Sequence, residues 1–223
     1  MFERPIVMLD FETTGLSPES GDRITEVAAL RIAGGEIVER YVSLVNCGVR
    51  IPSFITSLTG ITQKMVDSAP PAEEVVPELI EFIGADTLAA HNASFDEKFL
   101  KAEGARLGHG CRHAALVCSV KLSRRVLPGM ASYRLGELAR ALGIAFSGTA
   151  HRAEADAEVA ARLLLHIGRH LGDAYGLGPV APELLVQINR LAAAKVHGYI
   201  GEYAAQQRSE AAPATRVTER KQA

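Results

Sequence analysis

Residues 5–15 read Pro5-Ile-Val-Met-Leu-Asp-Phe-Glu-Thr-Thr-Gly15. The run from Pro5 to Phe11 is apolar except for one acid, and small turn-forming residues follow it, the pattern of a buried strand ending in a turn. Working outward, residues 24–32 (ITEVAALRI) and 36–45 (EIVERYVSLV) read as two more strands. Gly34-Gly35 between them predicts a tight hairpin turn. Residues 51–71 carry turn signals and short helical pieces, 72–83 read as a helix, and 86–91 as a short interior strand. A helix over 94–107 has Phe95, Phe99 and Leu107 on one broad apolar side. Residues 114–120 suit a further strand, and helices follow near 120–127 and 134–142, the second stopped by Gly143. The strongest helix runs over about 153–171, where Ala160, Leu163, Leu164, Ile167 and Leu171 keep helical spacing. This order predicts an α/β fold, a mixed five-stranded sheet flanked by helices, with an antiparallel hairpin at one side and parallel strands beyond it.

A chain of 223 residues with 48% apolar content can bury one substantial core. Trp is absent and aromatics make up only 5%, so Ala, Leu, Ile and Val must build that core. Composition shifts after Gly172. Residues 1–171 read as the main domain, 172–206 as a Gly- and Pro-bearing connector plus one amphipathic helix over 183–206, and 207–223 as a disordered polar tail. The three cysteines, Cys47, Cys111 and Cys118, show no paired spacing and read as reduced thiols. No apolar run approaches the ~20 residues of a spanning helix, and Met1-Phe2-Glu3-Arg4-Pro5 has no signal-peptide pattern. The expectation is a soluble cytoplasmic protein with no membrane partner. A net charge of −2 argues against a protein that coats long duplex DNA. It allows one that grips a few nucleotides at a strand end.

Acids interrupt the apolar pattern at telling places. Strand alternation puts Asp10 and Glu12 on one face and Phe11 on the other. Two desolvated carboxylates side by side repel each other, and a hard cation such as magnesium or manganese relieves both costs. Asp156 lies on the core-facing stripe of its helix, with Ala160, Leu163, Leu164 and Ile167 at the following turns. His151, five residues earlier, falls just before that helix. Asp96 stands in the first turn of its helix, where an acid also satisfies the helix dipole. Strand ends and helix starts of an open α/β sheet converge on one edge. Four acids and a histidine there suit two-metal hydrolysis of a phosphodiester, with histidine as general base. Taken singly, Asp10-x-Glu12 also fits an edge carboxylate pair, and His151 a structural histidine.

The segments Leu9-Asp-Phe-Glu-Thr-Thr-Gly15, His91-Asn-Ala-Ser-Phe-Asp96 and His151-Arg-Ala-Glu-Ala-Asp156 resemble the three exonuclease motifs of the DEDD superfamily. The His five residues before the last Asp is similar to the histidine subgroup; the tyrosine subgroup has Tyr where Arg152 stands. The resemblance covers roughly residues 5–170 and is closest to the branch holding proofreading epsilon subunits of bacterial DNA polymerase III and stand-alone relatives. It implies a ribonuclease H-like fold, two divalent ions (Mg²⁺ or Mn²⁺), and 3'-to-5' release of nucleoside 5'-monophosphates from single-stranded DNA 3' ends. It implies that Asp10, Glu12 and Asp156 ligate metal directly, that Asp96 acts chiefly through water, and that His151 is the base. It also implies that Leu16 packs on the terminal bases and that Thr13, His91, Asn92 and Phe95 line the terminal-nucleotide pocket.

Glu26, in the family-like pattern Ile-x-Glu-Val-Ala, reads as a structural or supporting residue. Lys121, Arg124, Arg125 and Arg152 are candidates for phosphate contacts, against the plainer reading of a solvated basic face. No clamp-binding motif is visible near the C-terminus. Leu185, Ile188, Ala192, Val196, Ile200 and Tyr203 lie near one side of the last helix. That side fits docking on the main domain, or else a homodimer or DNA polymerase contact. Two other functions stay open at this point: an RNA-directed exonuclease of the same superfamily, and a noncatalytic nucleic-acid-binding or assembly subunit.

Overall fold

The computed structural model describes residues 1–145 and 150–211. Five strands form one sheet: β1 (Ile6–Thr13), β2 (Ile24–Ala33), β3 (Glu36–Leu44), β4 (Thr87–Ala90) and β5 (Leu116–Cys118). Their spatial order is β3-β2-β1-β4-β5. The first three pair antiparallel, and β4 and β5 add in parallel beyond β1. The mixed α/β sheet is as the strand pattern predicts. Gly34 and Gly35 both have positive φ, 61° and 98°, which the two-residue hairpin between β2 and β3 requires.

The helices in chain order are α1 (Ser53–Thr59), α2 (Gln63–Asp67), α3 (Ala72–Ile83), α4 (Ala93–Arg106), α5 (Ser119–Val126), α6 (Leu135–Ala141), α7 (Ala153–Tyr175), α8 (Pro182–Arg190) and α9 (Ala193–Ala211). Alternation along β1 splits the core in two. Ile6 and Met8 join a cluster with α5, α6, α7, α8 and α9. Val7, Leu9 and Phe11 join another with α3 and α4. By parity, Asp10 and Glu12 belong to the α7 face. Ala157, Ala160 and Ala161 let α7 lie close against β1 and β2, and Leu163, Leu164 and Ile167 complete that layer.

The chain after residue 171 departs from the sequence reading. Helix α7 runs on to Tyr175 and is stopped by Gly176 at φ 65°, so residues 172–175 are helix and not connector. The single helix expected over 183–206 is two helices, α8 and α9. Nothing in Arg190-Leu-Ala-Ala193 disfavours helix; a tertiary contact makes the break. Arg125 Nε donates to the Leu191 carbonyl at 2.9 Å, while Leu191 is extended at φ −68°, ψ 150°. Helix α9 continues to Ala211, so residues 207–211 are helical where a disordered tail was expected; residues 212–223 lie outside the described residues.

Leu185, Ile188, Val196 and Ile200 are buried in the same cluster as β1 and α7, and Tyr203 packs against it. The apolar side that suited a homodimer or polymerase contact is therefore consumed by docking within the chain, and Ala192 is exposed at the break. Val180 ties the connector to the N-terminus: its N–H donates to the Met1 carbonyl and its own carbonyl accepts from Glu3 N–H. Among the described residues, no helix is long and apolar enough to cross a membrane.

Candidate active site

Strand β1 pairs with β4 only from Ile6 to Leu9. Past Leu9 the strand continues beside β2 alone, with Asp10 opposite Ala28 and Glu12 opposite Glu26. Helix α4 begins at this edge. Its Asp96 reaches across and accepts the Phe11 N–H at Oδ1, 3.2 Å, replacing the backbone partner that β4 no longer supplies.

On the other face, Asp156 in the first turn of α7 comes over Asp10 and Glu12. One carboxylate oxygen from each of the three lies within 4.8 Å of the others. All three are half-buried. Asp96 is almost fully buried and stands outside this trio, near enough to raise the Asp10 pKa. His151 precedes α7 in the left-handed region, φ 60°, unusual for a residue with a Cβ. Its backbone N–H donates to Asp156 Oδ2 at 3.0 Å, which helps to hold that conformation, and its side chain is exposed at the rim.

Burial is the first cause of strain in the carboxylates' charge. Desolvation, then Asp96, Asp156 and Glu12, hold the Asp10 carboxyl well above the usual range. Glu12 is pushed up to about 7 by burial, with Asp156 and Glu26 adding to it. Asp96 is pushed up to about 8, again by burial, even though backbone hydrogen bonds favour its charged form. Asp156 is raised by burial and moderated by the His151 N–H and by the charge of His151. Among the described residues, no Lys or Arg forms a salt bridge with Asp10, Glu12 or Asp156. Arg152 lowers the Glu12 pKa only in part, and oxygen donors that repel one another without a salt bridge to offset them fit a hard divalent cation.

The profile of the exonuclease (RNase_T) family matches residues 7–164, a span that contains every one of these acids and His151. The chain belongs to the exonuclease family. It is 38% identical over 167 residues to the 3'-5' exonuclease DinG of Bacillus subtilis, covering 75% of this chain and 18% of that protein. It is 37% identical over 179 residues to the DNA polymerase III subunit epsilon of Aquifex aeolicus, covering 80% of this chain and 87% of that one. Exonuclease X, solved with a 5' overhanging duplex DNA, superposes with TM-score 0.64 at 26% identity, covering 82% of this chain and 99% of its own. Escherichia coli Exonuclease I, solved with a dT13 oligonucleotide, shares the fold at TM-score 0.67 and 17% identity.

The residues expected around a terminal nucleotide are placed unevenly in this exonuclease-family domain. Leu16 is 78% exposed beside the carboxylates' loop, and Lys98 Nζ donates to its carbonyl at 2.5 Å. Phe95 is half-buried, meets Phe99 in a tilted contact with centroids 5.0 Å apart, and lies under Lys98 Nζ. Thr13 is buried, and its hydroxyl donates to the Gly15 carbonyl at 2.6 Å. Asn92 is exposed in the left-handed region, φ 78°, at the start of α4. His91 has both ring nitrogens engaged inside the protein. Nε2 donates to the Tyr133 carbonyl at 3.1 Å, and Nδ1 meets the Ser119 hydroxyl at 2.8 Å. Burial holds its pKa down at about 4. As a neutral tautomer it joins β4 to α5 and the Tyr133 segment, leaving its ring edge, not its nitrogens, for any ligand.

Two of the four cations expected to meet phosphate turn inward. Arg125 donates to the Leu191 and Lys121 carbonyls. Arg152 makes a forked pair with Glu26, Nε to both oxygens at 3.1 and 3.0 Å. Glu26 also accepts the Ala153 N–H at 2.9 Å. This one buried carboxylate on β2 thus fixes the start of α7, three residues before Asp156. The sequence signal for it was a Glu inside an apolar strand pattern, the same anomaly as Asp10. Glu26→Ala is expected to cost about 2–4 kcal/mol of stability by leaving Arg152 and an amide unpaired. Urea denaturation measures this; a cost within ~0.5 kcal/mol of zero, the range of ordinary surface changes, would refute the anchoring role.

Proposed function

We propose that this protein is a 3'-5' exonuclease that hydrolyses the terminal phosphodiester of a single-stranded DNA 3' end and releases nucleoside 5'-monophosphates, in a proofreading or DNA-repair role in the cytoplasm. The observation that carries the reading is the trio Asp10, Glu12 and Asp156, within 4.8 Å of one another inside the family-matched span. These three would hold divalent metal, with two Mg²⁺ or Mn²⁺ ions as the working stoichiometry and Asp96 assisting through water. Bound metal supplies Lewis-acid stabilisation of the phosphodiester and a more acidic attacking water.

The chain's own residues do the remainder. His151, exposed at the rim beside Asp156, takes the proton from the attacking water as general base. Its backbone bond to Asp156 keeps base and carboxylate in register. Leu16 and the Phe95 ring offer apolar surfaces to the terminal base, while Thr13 and Asn92 border the same edge. Asp96 holds the Phe11 amide and thereby the direction in which Asp10 and Glu12 leave the sheet.

The test uses purified protein with Mg²⁺ or Mn²⁺ on 5'-labelled DNA and RNA oligonucleotides of the same sequence. A ladder shortening from the 3' end, with DNA faster than RNA, is expected. Faster RNA degradation would replace DNA by RNA in the proposal. No hydrolysis with either metal would refute an enzymatic role and leave a binding or assembly subunit.

A further inference from the structure

Seven of the sixteen arginines among the described residues have carboxylate partners: Arg4, Arg23, Arg31, Arg40, Arg140, Arg152 and Arg162. Lys121, Arg124, Arg134 and Arg190 form no ion pair among the described residues, and all four are exposed. They are brought together. Lys121, Arg124 and Arg190 line one depression of about 250 Å³ with Asn92 and Ser94. Arg134 lines an adjoining one that shares Asn92 and Arg124 with the first. Resting cations on one surface repel one another, so their convergence is not explained by stability.

The architecture holds this basic groove in place. Asn189 accepts the Cys118 N–H at 2.6 Å and returns a bond to the Cys118 carbonyl, capping the open edge of β5 and setting the end of α8. Arg190 follows it directly and projects into the groove. The Arg124 guanidinium lies 5.7 Å from the centre of the Tyr133 ring, which orients it. Asn92 and Ser94 open α4, and Asp96, one residue past Phe95, faces Asp10. Ser94 and Asp96 share the first turn of α4, about 5.4 Å of rise, so the groove and the carboxylate edge meet at the start of one helix. The first turn of α4 also adds the positive end of its dipole. Arg190 lies beyond residues 7–164, so the family-matched span alone does not complete the groove.

We infer that the groove formed by Lys121, Arg124 and Arg190, with Arg134 at its mouth, binds backbone phosphates of the nucleotides preceding the terminal one. This rests on the exonuclease reading for the identity of the strand, and it assigns the C-terminal helices a part in substrate binding. Arg124 and Lys121 supply point charges on α5, and Arg190 closes the path from α8.

The experiment compares wild type with K121Q/R124Q/R190Q and with the charge-retaining K121R/R124K/R190K. Binding of a fluorescent dT12 strand is followed by anisotropy in Ca²⁺ as salt is varied. Hydrolysis of the p-nitrophenyl ester of thymidine 5'-monophosphate, which has no preceding phosphate, is followed in Mn²⁺. The neutral triple variant is expected to bind dT12 on the order of 10- to 100-fold more weakly at ~0.1 M salt, with the log–log salt slope shallower by about 2 for three contacts. Its loss on dT12 should exceed any loss on the ester by on the order of 10-fold, and the charge-retaining variant should recover binding. Equal dT12 affinity and slope in wild type and the neutral variant would overturn the groove. So would equal losses on dT12 and ester shared by both variants, because the side chains would then serve the fold. A wild type that binds dT12 through the groove but leaves both substrates uncleaved would sink the exonuclease reading while the groove stands.

Discussion

Asp10→Asn is expected to lower metal-dependent hydrolysis by about 10³-fold or more while making the metal-free protein more stable. Both halves come from one fact. Asp10 is a buried acid among acids: burial is the first cause of its raised pKa, and Asp96, Asp156 and Glu12 follow. An amide of the same shape removes the repulsion and the desolvation of charge, so folding without metal should improve by on the order of 1–3 kcal/mol. It also removes an anionic donor from the trio that fits a divalent ion. His151→Gln is the instructive contrast. The His151 side chain is exposed and its backbone, not its ring, bonds Asp156, so the fold should be indifferent. If His151 is the proposed general base, its loss should still cost about 10²–10⁴-fold in rate. Initial rates with saturating Mg²⁺ and urea curves in EDTA measure the two halves separately. An Asp10→Asn protein that is both active and less stable would contradict the account of the site.

What was readable in the sequence was whatever breaks a periodic pattern. Asp10 and Glu12 interrupt an apolar strand, Asp156 interrupts a helical stripe, and alternation alone puts the first two on the α7 face, as the core clusters place Ile6 and Met8 there too. The hairpin was legible because Gly34-Gly35 supplies two residues tolerant of positive φ. Asp96 was not distinctive, because its link to the Phe11 amide depends on β4 ending at Ala90 beside a longer β1. The inward use of His91, Arg125 and Arg152 was equally hidden: each is a polar residue satisfied by a partner between 28 and 126 positions away in sequence. The break at Leu191 has no local signal at all, since Arg125 from another helix captures the carbonyl. Periodicity reports which face a residue takes. It is silent on partners that only tertiary contact brings near.

Those same carboxylates should make the stability of the metal-free protein fall as pH rises. Glu12 is held up at about 7 and Asp96 at about 8, while an unfolded chain titrates both near 4. At these two groups the folded state therefore binds more protons than the unfolded one between about pH 4 and pH 8, while His91, held down at about 4, opposes them below its ordinary value of about 6.5. The carboxylates' contribution to stability decreases with pH through that window, the opposite of the usual salt-bridged carboxylate, and above about pH 6.5 His91 no longer offsets it. Asp10 and Asp156, also raised, act in the same direction. The groups are coupled, so the summed loss is on the order of a few kcal/mol and not the total of separate shifts. Metal reverses the sign of the effect. Held by the deprotonated carboxylates as proposed, it would compete with protons, so its apparent affinity should increase from pH 5.5 to pH 8. At a concentration of 100 times Kd it would add about 2.7 kcal/mol. Thermal melts in EDTA and in Mn²⁺ across this range give both quantities. The metal-free Tm should fall toward pH 8, and the gap between the two curves should widen. A metal-free Tm that climbs over the same interval, or a gap that does not change with pH, would mean that Asp10, Glu12, Asp96 and Asp156 are not the groups through which metal and proton compete.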